Sequence, residues 1–381
     1  MDDLYDKSEL KRLRRELHKN PELSGKEKET AKRIKSFLKK QKPDQIIEGL
    51  GGQGVAAVFQ GEANGPTVLF RCDLDALPID EVNTFAYRSK HKNIAHKCGH
   101  DGHMTIISGL AAAISKQRPK KGRVVLLYQP SEENGMGAEQ VLNDPEFDEI
   151  QPDYVYALHN LPGFSKGSII TNHHIFASAS KGMIVRLFGR TSHAGEPENG
   201  LSPAVAMADL VKDFTNLPKQ SGFEGFVLVT VIHARLGEIA FGTTPGYAEV
   251  MATLRSHTNE DMDSLSRKAV ELVEQHSGIH GLKHEIDWTE EFLATENNTA
   301  SVQIVEQSAK ENNLDIIQYN EPFRWSEDFS RFTKKYKGAL FGLGAGEDTP
   351  QLHNPDYDFP EEIIAPGIKT FMGIYNHHFN Q

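Results

Sequence analysis

The chain has 381 residues, enough for two or three domains of ordinary size. Hydrophobic residues make up 38% and charged residues 25%, which sustains a packed core and excludes a disordered chain. Lys and Arg number 42 against 53 Asp and Glu, and the net charge of −11 argues against nucleic-acid or anionic-membrane binding, since both need basic faces.

The opening MDDLYDKSELKR lacks the apolar core of a signal peptide. Residues 8–18 read as a helix, with Leu10, Leu13 and Leu17 on one face and Pro21 ending it. A second helix is expected over 26–40, with Ala31, Ile34, Phe37 and Leu38 inward. GVAAVFQG (54–61) and PTVLFRCD (66–73) read as strands, and a helix is expected over 103–116. RVVLLYQ (123–129) is a continuous apolar run, as a strand covered on both faces should be; YVYALH (154–159) is another. Alternating strands and helices predict a mixed-sheet α/β domain. From 183 to 290 the order changes to strand, helix, strand, strand, helix, strand, the split arrangement of a ferredoxin-like α+β domain. It reads as an insertion, so the expected division is 1–181, an inserted domain 182–292, and a return at 293–381. The longest apolar runs are too short to span a bilayer. The two cysteines, Cys72 and Cys98, exclude a disulfide scaffold and fit a reducing compartment, so a soluble cytoplasmic protein is expected.

The apolar strands end in residues that carry chemistry. The run 66–72 leads to Asp73 and Asp75, 123–130 to Glu132 and Glu133, and 154–158 to His159. The segment GALFGLGAGEDTPQLH runs from a strand to His353. Sites in open α/β sheets form beyond the carboxyl ends of the strands. The loop KCGHDGH adds Cys98, His100, Asp101 and His103 just before a helix. Thiolate and imidazole favour zinc, and carboxylate partners widen the choice to manganese, cobalt or nickel. Any one of these residues alone reads as a buried small or polar side chain; their convergence reads as a metal site. Glu132 and Glu133 are adjacent, so in extended backbone they point to opposite faces, one free to bind metal and the other to act as acid or base. The pairs His173-His174 and His377-His378 read as incidental, His96 and His103 as supporting, and Cys72 as packing.

The segments LRRELHKNPELSGKEKET, FRCDLDALPI, HKCGHDGHM, YQPSEENGMGAEQVL, ALHNLP, GRTSHAGEPENGLSPAV, WSEDFSRF and LHNPDYDF, in this order, resemble the motifs of the metallo-amidohydrolases. That group holds hippurate hydrolases, N-acyl-amino-acid deacylases and indole-acetyl-amino-acid hydrolases, within the aminoacylase and carboxypeptidase superfamily. The resemblance implies a metal-dependent hydrolase that cleaves N-acyl amino acids with a metal-activated water. It implies two divalent ions held by Cys98, His100, Glu133, His159 and His353, with zinc or manganese foremost, and Glu132 as general base. It further implies a catalytic His193 on the inserted lid domain, Arg255 as the grip on the substrate carboxylate, and Asp75 and Asp101 holding ligands. In many relatives the lid also carries a homodimer interface. One departure is visible: where many relatives have Asn-Val-Ile-Pro on the lid, this chain has Gly242-Thr243-Thr244-Pro245. A dipeptidase or aminopeptidase with the same centre is the nearest rival, with Glu196 or Glu198 available for a free amine. A catalytically idle metal-binding protein is the rival from another class, and a spare Glu132 beside the ligands argues against it.

Overall fold

The computed structural model describes residues 3–380. It divides into two compact units. The first comprises the chain up to Phe176, Thr295–Glu321 and the chain from Asp328; the second comprises Ala177–Ala294 and Pro322–Glu327.

The first unit is built on an eight-stranded mixed sheet. Its spatial order is Gln45–Leu50, Gly54–Gln60, Lys121–Gln129, Ala63–Asp73, Tyr154–Pro162, Lys337–Gly346, Ile169–Thr171 and Ile316–Gln318. The central strands Lys121–Gln129, Ala63–Asp73, Tyr154–Pro162 and Lys337–Gly346 run parallel. Their carboxyl ends therefore share one edge, where the sequence concentrates Asp, Glu and His. Side chains alternate along each strand. Val68, Phe70, Val124, Leu126 and Tyr128 enter the main core with the helices, while Leu69, Val125 and Leu127 face the other way; all are 0% exposed. Each such side chain contributes about 1.5–3 kcal/mol through burial.

The helix Lys7–Lys19 starts at Asp6, whose carboxylate accepts from the N–H of Ser8 (2.8 Å) and Glu9 (3.2 Å). Its buried face is Leu10, Arg14, Leu17 and His18, with Leu13 only partly covered. The apolar spacing alone misplaces that face, because Arg14 and His18 are drawn inward by Asp101. The helix expected over 103–116 begins three residues earlier, at His100. The edge strands Gln45–Leu50 and Ile316–Gln318, the short inner strand Ile169–Thr171 and the helix Ile364–Phe379 have no counterpart among the expected elements.

The second unit is a four-stranded antiparallel sheet in the order Lys283–Phe292, Ala179–Phe188, Tyr247–Ser256, Val227–Leu236. Helices Ala204–Asn216 and Asn259–Ile279 pack on it, which is the expected α+β arrangement. Residues 322–327, expected in the returning segment, group with this unit instead. Their backbone holds it: the N–H of Ser178 donates to the carbonyls of Phe323 (2.9 Å) and Trp325 (3.1 Å). Such pairing has no periodicity to reveal it in sequence. No helix among the described residues is long and apolar enough to cross a membrane.

Candidate metal centre

The first unit brings Cys98, His100, Glu133, His159 and His353 together. Ligand atoms of Cys98, His100 and His159 lie within 4.8 Å of one another, and so do those of Cys98, Glu133 and His353. Each triple is therefore a group of side chains that could hold a metal ion. Cys98 belongs to both. Its Sγ lies 3.4 Å from Nε2 of His159.

Local structure explains the placement. Gly99, between Cys98 and His100, has φ +94°, and a Cβ there would lie 2.4 Å from Oδ1 of Asn160. Only glycine turns the chain here and lets His100 open a helix. Nδ1 of His100 donates to the carbonyl of Asp75 (2.9 Å), which aims Nε2 at the cluster. The carboxylate of Asp75 accepts from Ser24 Oγ (2.7 Å) and from the N–H of Glu133 (3.0 Å), so one residue orients two candidate ligands. His159 donates from Nδ1 to the carbonyl of Asn160 (3.0 Å), leaving Nε2 to face Cys98. His353 has φ +66°, and its N–H donates to the carbonyl of Lys97 (2.8 Å).

Glu132 and Glu133 do not sit in extended backbone. Ser131 has φ +56° and residues 132–135 form a turn, so the strand rule of opposite faces does not apply. Both carboxylates come within 4.8 Å of a His100 nitrogen. Glu132 is 5% exposed and accepts from the N–H of Asp328 at 3.5 Å.

Burial shapes the electrostatics. It pushes the Cys98 thiol well above its usual range, and Glu133 adds to the effect. Burial, with Asp75 contributing, raises Glu133 to about 8 against the pull of His100. Burial alone lowers His100, but Asp73 and Cys98 reverse that and hold it well above its ordinary value. His159 is lowered well below its ordinary value by burial and by His103 and His100; His353, whose side chain is about half exposed, is also lowered, by partial desolvation and by His100. Among the described residues, Nε2 of His100 and Oε1 of Glu133 are buried without a hydrogen-bond partner, 3.8 Å apart. Buried polar atoms are normally satisfied, so these two fit a group that is not protein. A thiol, three imidazoles and a carboxylate form a donor set that suits a borderline divalent metal.

Asp101 is buried, but its Oδ2 faces Nδ1 of His18 (2.7 Å) and Nε of Arg14 (3.0 Å), not a candidate ligand. His18 continues through Nε2 to Glu81 (3.1 Å), which also takes Lys97 Nζ (2.6 Å). Arg14 and His18 thus form a buried ionic layer on Asp101, which follows His100, and Lys97, which precedes Cys98, joins it through Glu81. Sequence reasoning missed Arg14 and His18 because they occupy an apolar helix face. His103 faces Asp73 Oδ2 (3.2 Å) and Asn160 Oδ1. His96 is 1% exposed, and neither of its ring nitrogens has a hydrogen-bond partner among the described residues. His173 is bonded to Glu306 (2.9 Å) and His378 to Tyr156 (3.0 Å), apart from the cluster.

His193 and Arg255 belong to the second unit. His193 is exposed; its Nδ1 accepts from the N–H of Gly195 (3.0 Å), which places the ring proton on Nε2. The N–H of Ala194 donates to the carbonyl of Gly242 (3.0 Å), so the departing Gly-Thr-Thr-Pro segment supports the histidine loop. A side chain at Gly242 would meet open space. Arg255 stands near the end of Tyr247–Ser256, half-buried, and donates from Nη1 to the carbonyl of Arg324 (2.9 Å).

Residues 69–377 match the profile of Peptidase family M20/M25/M40. The chain is 31% identical over 366 residues to N-acetyl-L-cysteine deacetylase of Bacillus subtilis, covering 95% of this chain and 86% of that one. It is 28% identical over 368 residues to hippurate hydrolase of Campylobacter jejuni, covering 96% and 95%. A solved Bacillus subtilis structure, described as a dinuclear metal binding peptidase from the M20 family, superposes with a TM-score of 0.83 at 24% identity over 98% of both chains. The chain belongs to Peptidase family M20/M25/M40. It is a metal-dependent amidohydrolase.

Proposed function

We propose that this amidohydrolase cleaves N-acyl amino acids to a carboxylic acid and a free amino acid at a two-cation centre. Cys98, His100 and His159 would hold one ion and Cys98, Glu133 and His353 the other, with the thiolate shared. Zinc or manganese suits the donors best, and cobalt or nickel is also compatible. Bound divalent ions supply a Lewis acid for the amide carbonyl and an acidified water. The rest is the work of the chain. Glu132 accepts a proton from the attacking water and passes it to the leaving amine, a contribution of roughly 10²–10⁴-fold. His193, protonated on Nε2, donates to the oxyanion, and Arg255 pairs with the amino-acid carboxylate. Asp75 keeps His100 and Glu133 in register. The named activities of the relatives, on N-acetyl-cysteine and on hippurate, support the substrate class.

The observation that carries this reading is the pair of donor triples meeting at Cys98 with Glu132 beside them. The test is a panel of N-acetyl and N-benzoyl amino acids and dipeptides, assayed with zinc, manganese, cobalt and nickel in turn. Turnover of the acylated substrates, lowered by roughly 10²–10⁴-fold in Glu132→Gln with metal content unchanged, is the expected result. Undiminished activity in that variant overturns the base assignment.

Partnering and location belong to the same reading. The edge strand Val227–Leu236 exposes Leu228, Ile232 and Leu236, and Ile239 and Phe241 beyond it are fully exposed. An open apolar edge of this kind invites strand pairing, here with a second copy of the chain. Both cysteines are unpaired thiols, in keeping with a cytoplasmic setting. Light scattering on wild type and Ile232→Lys tests the dimer.

A further inference from the structure

The motif WSEDFSRF supplies none of the five candidate ligands, yet its aspartate is fully buried beside the segment that carries the base. On the strands, Arg71 and Gln129 face away from the main hydrophobic core, and Asp328 meets them there. Oδ1 of Asp328 accepts from Nη2 of Arg71 (2.5 Å) and from Nε2 of Gln129 (2.9 Å). Oδ2 accepts from Nε2 of Gln129 (2.8 Å) and from the N–H of Ala138 (2.8 Å). Gln129 ends the strand and Ala138 lies in the first turn of the next helix, Gly137–Leu142, so a single carboxylate ties the two flanks of the loop 130–137. Between those flanks lie Glu132 and Glu133. The N–H of Asp328 also donates to Oε1 of Glu132 (3.5 Å).

The loop needs such anchoring. Ser131 is held at φ +56°, and a Cβ on Gly137 would fall 1.7 Å from the carbonyl oxygen of Pro130, so the loop closes on itself without slack. The N–H of Ser131 is taken by Glu27 (2.8 Å) and that of Glu133 by Asp75 (3.0 Å). Those two bonds fix the loop's interior, while Asp328 spans its ends and reaches Glu132.

We propose that Asp328 is a positioning residue for Glu132: it fixes the ends of loop 130–137 and hands Glu132 a backbone N–H, so the carboxylate is aimed before substrate arrives. The proposal rests on the reading of Glu132 as the general base. A carboxylate displaced by about 1 Å loses on the order of 10²-fold in turnover while binding is little changed.

The experiment measures kcat, KM and metal content for Asp328→Asn in the wild-type background and in Glu132→Gln. Hydrogen–deuterium exchange is followed over residues 130–138. The expected result is a kcat lower by about 10²-fold, with KM and metal content near wild type and faster exchange confined to the loop. In the Glu132→Gln background the same substitution should cost nothing further, because there is no base left to aim. Equal losses in both backgrounds, or unchanged loop exchange, overturn the positioning role and leave the hydrolase reading standing. Full activity of Glu132→Gln alone overturns that reading, and this proposal with it. Gln129→Met cuts one end of the loop loose and spares the Arg71–Asp328 pair. It carries the same test at smaller amplitude if Asp328→Asn does not fold.

Discussion

The N–H of His353 donates to the carbonyl of Lys97 at 2.8 Å, one residue before Cys98. Two loops more than 250 positions apart in the chain are thereby locked together at the backbone, and each delivers a candidate ligand. His353 holds φ +66° to do so, a left-handed conformation that asparagine also tolerates. His353→Asn should therefore keep its melting temperature while bound metal falls from two equivalents toward one. Cys98→Ala, which removes the donor common to both triples, should lose metal and activity together. Elemental analysis of both purified variants decides it, and full occupancy in Cys98→Ala would sink the ligand assignment.

Gly99→Ala probes the turn between Cys98 and His100. A methyl group there meets Asn160 Oδ1 at 2.4 Å, and the backbone sits at φ +94°. The combined strain should cost about 1–3 kcal/mol, seen as a lower melting temperature, and should weaken metal retention during dialysis against a chelator. A variant as stable and as metal-tight as wild type would show that the loop has another low-energy conformation.

Arg255→Ala separates carboxylate recognition from chemistry. KM for N-acyl amino acids should rise by roughly 10-fold or more, the worth of a charge-assisted pair, with little change for the corresponding amino-acid amides. Equal losses on the two substrate sets would count against a carboxylate grip.

Stability should depend on pH through His378. Burial, aided by the neighbouring His377, pushes its pKa down to about 4, while an unfolded histidine titrates near 6.5. Between those values the unfolded chain binds the proton more readily than the folded one. This contribution is fully present above about pH 6.5 and is lost progressively as pH falls toward 4. His378→Gln, which has no proton to take up, should flatten that part of the profile. Urea midpoints measured from pH 7.5 to 4.5 give the comparison, and an unchanged slope would remove His378 as the cause.

Much of this was legible in the sequence. Apolar runs set the central strands, because residues covered on both faces must be apolar throughout, and parallel pairing then puts Asp75, Glu132, His159 and the route to His353 at one edge. The Cys-Gly-His order was readable for the same local reason that Gly99 is required. The face of the first helix was not, since Arg14 and His18 are buried by ion pairing with a residue far along the chain. Nor was the geometry of Glu132 and Glu133: the strand ends at Gln129, and a strained Ser131 turns both carboxylates to the same cluster.

What the sequence determined by itself is the chemistry on offer: which donors exist, and which strand ends present them. What only the tertiary structure decided is their mutual arrangement. It makes Cys98 common to two triples, gives Asp101 to Arg14 and His18, and sets Asp328 across the ends of the loop that carries Glu132. Strand periodicity and turn preference act over a few residues and leave a local signature. Hydrogen bonds between buried charges join positions hundreds of residues apart, are enforced by the cost of leaving those groups unpaired, and leave none.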